Sequence, residues 1–154
     1  MKKLILVLVA VMGLTFAANA QDNAIGVRLG GGQGYNAELS FQKGLGMGRL
    51  EFDLGYHNME NAGSFSLAAL YQFHKGFGAV PSLGWYLGIG PKLNYASVNG
   101  NGSIALGAAG QAGIDYQFNA VPLQLSLDIR PCFYFIPDTY FHWGDIALGI
   151  RYVF

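Results

Sequence analysis

From Ile25 onward, apolar and polar positions alternate along the chain. The last ten residues show it most clearly. Ile146, Leu148, Ile150, Tyr152 and Phe154 fall on one face, and Asp145, Ala147, Gly149, Arg151 and Val153 on the other. A period of two marks a β-strand with one apolar face. The same pattern predicts seven strands before it. Their apolar faces begin with Ile25-Val27-Leu29, Tyr35-Ala37-Leu39-Phe41, Leu50-Phe52-Leu54-Tyr56 and Phe65-Leu67-Ala69-Tyr71-Phe73. They continue with Leu83-Trp85-Leu87-Ile89-Leu93, Leu106-Ala108-Ala112-Ile114-Tyr116-Phe118 and Leu123-Leu125-Leu127-Ile129-Phe133. Glycine-rich or polar stretches separate them: 31–34, 43–48, 58–63, 74–82, 96–103, 119–122 and 136–142. The expected fold class is all-β, an antiparallel up-and-down arrangement of about eight strands of roughly ten residues. That length suits a tilted strand crossing a bilayer. Pro91 and Pro131 lie inside predicted strands, where a proline cannot donate to a ladder, so bulges or frayed ends are expected there.

The first twenty residues read differently. Lys2 and Lys3 precede an apolar run from Leu4 to Phe16, and Ala18-Asn19-Ala20 has the small-x-small form of a cleavage site. Residues 1–20 are expected to be a secretory signal peptide, with a mature domain over 21–154. Without Lys2 and Lys3 the formal charge is −2, seven basic against nine acidic residues. A nucleic-acid partner is therefore not expected. Charged residues make up only 12% of the chain, against about 25% in ordinary soluble domains. Cys132 is the only cysteine, so no internal disulfide can form. Aromatic residues collect near strand ends. Phe41, Tyr71, Phe73, Trp85, Tyr116, Phe118, Tyr152 and Phe154 fall at one end, and Tyr35, Tyr56, Tyr95 and Phe133 at the other. Two such girdles are expected where a transmembrane barrel meets lipid headgroups.

Signal peptide, about eight alternating strands and a terminal aromatic together resemble the small outer-membrane β-barrels of the outer-membrane protein A and protein X type. The resemblance covers the whole mature chain as a pattern. Pro122–Pro131 and Gly149–Phe154 are similar in wording to barrel proteins of Bacteroidetes-like bacteria. The resemblance implies a cell outer-membrane location in a Gram-negative envelope and a periplasmic amino terminus. It also implies that Gly149, Tyr152 and Phe154 act as an assembly signal for the barrel assembly machinery. Periplasmic chaperones would be partners during biogenesis, and outer-membrane lipid and lipopolysaccharide afterwards. The loops are shorter than in the named prototypes, whose long loops carry adhesion and receptor roles.

Candidate chemistry is sparse. His57, His74 and His142 lack metal-ligand spacing, and Gly31–Gly34 and Gly44–Gly48 lack the helix and lysine of a phosphate loop. His57 and Ser66 share the inner face of neighbouring strands. His142 and Asp145 fall on opposite faces, and Ser64 and Glu60 lie near loop ends. These are residue types without a motif, so no catalytic residue, metal or cofactor is assigned. The expected role is structural or envelope-interacting, by a non-enzymatic monomer. A narrow porin-like pore or transport accessory is the alternative, and a lipid A-modifying enzyme a further one. The alternation places Arg28, Glu38, Glu51, Asp53, Lys92, Asp115, Asp128, Arg130, Asp145 and Arg151 inside. Hairpin folding is expected to bring Arg28 to Glu38, Glu38 to Asp53, Asp128 to Arg151, and Arg130 beside Gly149. Cys132 is expected as a small interior side chain. A barrel of about eight strands is only wide enough for side chains to fill, so these charges are expected to pair and close the lumen.

Overall fold

A computed structural model describes residues 23–31, 35–59, 62–98, 101–144 and 146–154, without the side chains of 31, 35, 57–59, 62 and 98. The described residues form ten strands and no helix. They are β1 (Asn23–Gly31), β2 (Tyr35–Leu45), β3 (Gly48–Met59), β4 (Ala62–Gly76) and β5 (Leu83–Val98). Then come β6 (Asn101–Gln117), β7 (Leu123–Ile129), β8 (Cys132–Ile136), β9 (Tyr140–His142) and β10 (Ile146–Val153). Each of β1 to β6 pairs antiparallel with the next, β6 with β7, β7 with β10, and β10 with β1. That circuit is a closed eight-stranded barrel. Closure leaves the circuit without a free edge, the only way strands can satisfy their backbone in lipid.

Polarity is inverted relative to a water-soluble fold. The largest fully buried side chains include Arg130, Arg151, Gln72, Glu51 and Asp53. Leu39, Ile89, Ile146 and Leu87 are 61%, 69%, 63% and 54% exposed. The strands of the circuit keep the faces that their alternation predicts, whereas Tyr140, Phe141 and His142 of β9 are all exposed.

Several boundaries differ from the sequence reading. The stretch 96–103 is mostly strand, because Ala96 pairs with Ser103, Ser97 with Gly102 and Val98 with Asn101. Its small polar residues resemble a loop, but in a closed ladder the neighbouring backbone holds them extended. The Asn99-Gly100 step inside it is a strong hairpin signal. The polar loop read at 58–63 is also largely paired, out to Met59 and Ala62. Leu45 pairs with Gly48 across Gly46 and Met47, and Gly46 takes the left-handed φ of 63° that such a tight turn requires. The last predicted strands are each split. At Pro131, β7 gives way to β8, and the stretch read as a loop over 136–142 contains β9. Pairs Cys132–His142 and Tyr134–Tyr140 prolong the wall beyond the break. Pro91 stays within β5 and pairs with Ala108 of β6, while the ladder to β4 skips Gly90 and Pro91. The missing N–H accounts for the gap.

Aromatic rings gather at both ends of the barrel. At the end holding Asn23 and Phe154, Phe73 meets Trp85 at 5.8 Å, Tyr116 meets Phe118 at 4.9 Å and Tyr152 meets Phe154 at 6.3 Å. At the other end Tyr56 meets Phe65 at 5.0 Å, and Tyr95 and Phe133 are exposed. The side chain of Tyr35 lies outside the described residues.

Candidate functional site: the barrel lumen

The interior is a single connected polar network. Glu51 of β3 is its hub and is fully buried. One carboxylate oxygen accepts from Arg130 at 2.8 Å and Gln111 at 3.1 Å. The other accepts from Gln72 at 3.0 Å, Arg151 at 3.2 Å and Gln42. Five donors thus converge on one side chain, four from different strands and one from Arg130 just after β7. Gln72 also donates to Gln111 at 2.7 Å.

Arg130 follows β7 directly and is 2% exposed. Besides Glu51 it donates to Asp53 at 2.6 Å and Glu38 at 3.0 Å. Glu38 also accepts from Arg28 at 2.9 Å. Arg28 in turn donates to Asp128 at 2.5 and 3.0 Å, and Tyr86 donates its hydroxyl to Asp128 at 2.9 Å. Arg151 donates to Ser40 at 2.9 Å and Ser126 at 2.7 Å. Two glycines make room for this. A Cβ at Gly113 would lie 2.6 Å from the Tyr86 ring, and one at Gly149 would lie 2.5 Å from the Arg151 guanidinium.

Toward the Asn23–Phe154 end, Arg49 donates to Asp115 at 2.6 Å and to Gln72. Its guanidinium stacks on Tyr86, 4.5 Å from the ring centre. Asp115 also accepts from Gln124 at 3.1 Å and contacts His74 at 2.9 Å. At the opposite end the interior becomes apolar. Ala68, Leu70, Ala109, Cys132 and Tyr134 pack together, and Asn94 donates to Tyr134 at 2.7 Å. Cys132 is an interior side chain, 1% exposed.

Of the residues singled out from sequence, Arg28, Glu38, Glu51, Asp53, Asp115, Asp128, Arg130 and Arg151 are buried and bonded in this network. Lys92 is half-buried and has no ion pair within 4.0 Å among the described residues. Asp145 lies outside the described residues. Arg28 does face Glu38. Glu38 faces Gly55 rather than Asp53, and the two carboxylates meet through Arg130. The pairing of Asp128 with Arg151 is corrected. Asp128 faces Ala147, and Arg151 faces Gln124. Gly149 faces Ser126, so Arg130 is not beside it. The chain reverses around Pro137 and Asp138 with β8 and β9 paired on either side, which shifts the register from the one a plain 136–142 loop predicts.

The sequence reading missed Arg49, which stands between the 43–48 turn and the strand face beginning at Leu50. Counting back one residue from outward-facing Leu50 places Arg49 inside, so the signal was present. It also gave no weight to Gln42, Gln72, Gln111 and Gln124, whose amides fill the remaining valences. For His57 the register partner is Ser64, and Ser66 faces Gly55, so the expected His57–Ser66 pairing is not formed across the ladder. The side chains of His57 and Glu60 lie outside the described residues.

No protein-family model matches the chain, and no curated protein matches it in sequence. In three dimensions it is similar to Neisserial surface protein A, with a TM-score of 0.63 and 17% sequence identity. The match covers 86% of this chain and 95% of that one. The shared property is the fold, a closed antiparallel barrel of eight strands.

Proposed function

We propose that the chain is a monomeric, non-enzymatic outer-membrane barrel of the small protein A and protein X type. Its role is structural or envelope-interacting, and its lumen is closed by side chains. One observation carries the reading: the buried centre is charged, while the large exposed side chains of the barrel wall are apolar. In water that arrangement would expose a belt of leucine, isoleucine and phenylalanine far beyond a tolerable patch. In hydrocarbon it is the stable one. The structural neighbour is itself an outer-membrane barrel, which supports the location. The wording shared with barrels of Bacteroidetes-like bacteria supports a Gram-negative source.

In this topology the Asn23–Phe154 end faces the periplasm, after removal of residues 1–20. Gly149, Tyr152 and Phe154 are offered to the barrel assembly machinery, and lipid and lipopolysaccharide are the lasting partners. Closure of the lumen rests on Glu51 and its five donors, which span the interior from several sides. Planar-bilayer recording tests it: the purified barrel should give no steady ion conductance. Sustained current through the unmutated protein would establish the pore reading instead. Lipid A from cells with and without the protein should have identical masses. A difference would establish the enzymatic alternative.

A further inference from the structure

We propose that the outer wall at the Asn23–Phe154 end binds anionic phospholipid of the periplasmic leaflet through Lys43 and Lys75. The inference rests on the membrane-barrel reading and names a lipid class within it. Without Lys2 and Lys3 the chain has seven lysines and arginines. Five belong to the lumen: Arg28, Arg49, Arg130 and Arg151 are buried, and Lys92 is half-buried. Of the seven, Lys43 and Lys75 alone are exposed. Both stand at the same end of the barrel. Lys43 faces Asn23 in the β1–β2 ladder, and Lys75 is one residue from the end of β4. At the far end Asp138 is exposed, and no lysine or arginine is.

Both lysines are on the outer face. Lys43 has the parity of exposed Leu39 and Leu45, and Lys75 that of exposed Tyr71 and Phe73. Across the ladders Lys43 stands opposite Leu50, and Lys75 opposite Trp85. Trp85 in turn meets the Phe73 ring at 5.8 Å. Tyr71 faces Leu50 in the ladder, but its ring leans over Gly48, two residues nearer the rim. A Cβ at Gly48 would lie 2.6 Å from that ring, so glycine there lets the tyrosine carry its hydroxyl toward the rim. Aromatic rings in such a collar mark the headgroup level. A lysine among them lays its stem on apolar surface and reaches the phosphate layer with its ammonium. Neither lysine has an ion pair within 4.0 Å among the described residues, so each ammonium is available to a phosphate.

The charge of the headgroup decides which phospholipid is held. A zwitterionic headgroup brings its own ammonium to each phosphate. An anionic one leaves that charge to the lysine. One lysine near such a surface favours the anionic lipid about fivefold. Lys43 is on β2 and Lys75 on β4, with β3 between them, so each takes its own lipid. The phosphates of lipopolysaccharide lie in the opposite leaflet, where they meet no exposed lysine or arginine of this chain.

The experiment uses the mature barrel refolded into phosphatidylcholine vesicles. These contain either phosphatidylglycerol or phosphatidylcholine with brominated acyl chains. Bromine quenches a tryptophan that it touches, and the chain has two. In Trp143→Phe, Trp85 reports beside Lys75. In Trp85→Phe, Trp143 reports from the far end. Brominated phosphatidylglycerol should associate at Trp85 about fivefold more tightly than brominated phosphatidylcholine. Lys75→Gln should make the two lipids equal there, and about 1 M salt should do the same by screening. Trp143 should show no preference. With Trp85 and Trp143 both replaced by phenylalanine and Leu50→Trp as the reporter, Lys43→Gln should likewise make the lipids equal. Heat-modifiable gel mobility checks that each variant folds. Should a lysine variant not fold, the contrast between Trp85 and Trp143 decides. The proposal is overturned if the two lipids quench Trp85 equally, if the folded lysine variants keep the preference, or if Trp143 shows the same preference. Equal quenching leaves the membrane-barrel reading standing, whereas a chain quenched by neither lipid overturns both.

Discussion

Replacing Arg130 with alanine removes three ion pairs at once, to Asp53, Glu51 and Glu38 at 2.6, 2.8 and 3.0 Å. The losses are unequal. Glu38 keeps Arg28 at 2.9 Å, and Glu51 keeps Arg151 at 3.2 Å with three glutamine amides. Asp53 keeps no other ion-pair partner within 4.0 Å among the described residues, and one of its oxygens already lacks a hydrogen bond. The main cost of Arg130→Ala is thus one uncompensated buried carboxylate, about 3–5 kcal/mol. Asp53→Asn alone leaves Arg130 two carboxylates and should cost about 1 kcal/mol. Combining them removes both the orphan charge and its partner. The double variant should therefore lie about 2 kcal/mol above the sum of the singles in stability. The measurement is equilibrium urea unfolding of barrel refolded into lipid vesicles, followed by fluorescence of Trp85 and Trp143. Strict additivity, or a cost for Arg130→Ala below about 1 kcal/mol, the level of a single ordinary hydrogen bond, would show that water hydrates these charges and that the network contributes little.

Four further outcomes follow from the same geometry. Arg28→Ala and Asp128→Ala should be non-additive in the same assay, whereas Asp128→Ala and Arg151→Ala, which share no partner, should add within about 0.5 kcal/mol. Ile89→Arg, at a side chain 69% exposed on the outer wall, should cost about 2–4 kcal/mol in a bilayer if it sits at the midplane. An unchanged midpoint would argue against lipid contact there. Deleting Phe154 removes the two backbone bonds it exchanges with Asn23, at 2.8 and 3.2 Å, and the proposed assembly signal. Insertion in cells should fall while refolded protein stays a barrel, and undiminished insertion would refute the signal. Amino-terminal sequencing of the protein from outer membranes should start at Gln21, and recovery of a form starting at Met1 would refute the cleavage.

The faces of the strands were legible because alternation is local. Whether Arg28, Glu51 or Asp128 points inward depends only on parity with its apolar neighbours, and parity survives any choice of partner strand. Arg49 shows the limit: the rule holds one residue before the strand that the alternation marks out. Strand ends were less legible. Ser97 and Gly102 have weak preference for strand, yet the pairing of their neighbours carries them along.

The sequence by itself determined the fold class, the inverted polarity and which charges enter the lumen, since each follows from a period of two along a single strand. Only the tertiary structure decided which charges meet. Arg130 finds Asp53, Glu51 and Glu38 at separations of 77, 79 and 92 residues. Those contacts depend on closure of the ring and on the register of every hairpin in it. A different reversal point in one hairpin, as around Pro137 and Asp138, slides a whole strand along its neighbour. Parity is kept and the partners change, so Asp128 of β7 meets Arg28 of β1 across β10 while Arg151 turns to Ser40, Ser126 and Glu51.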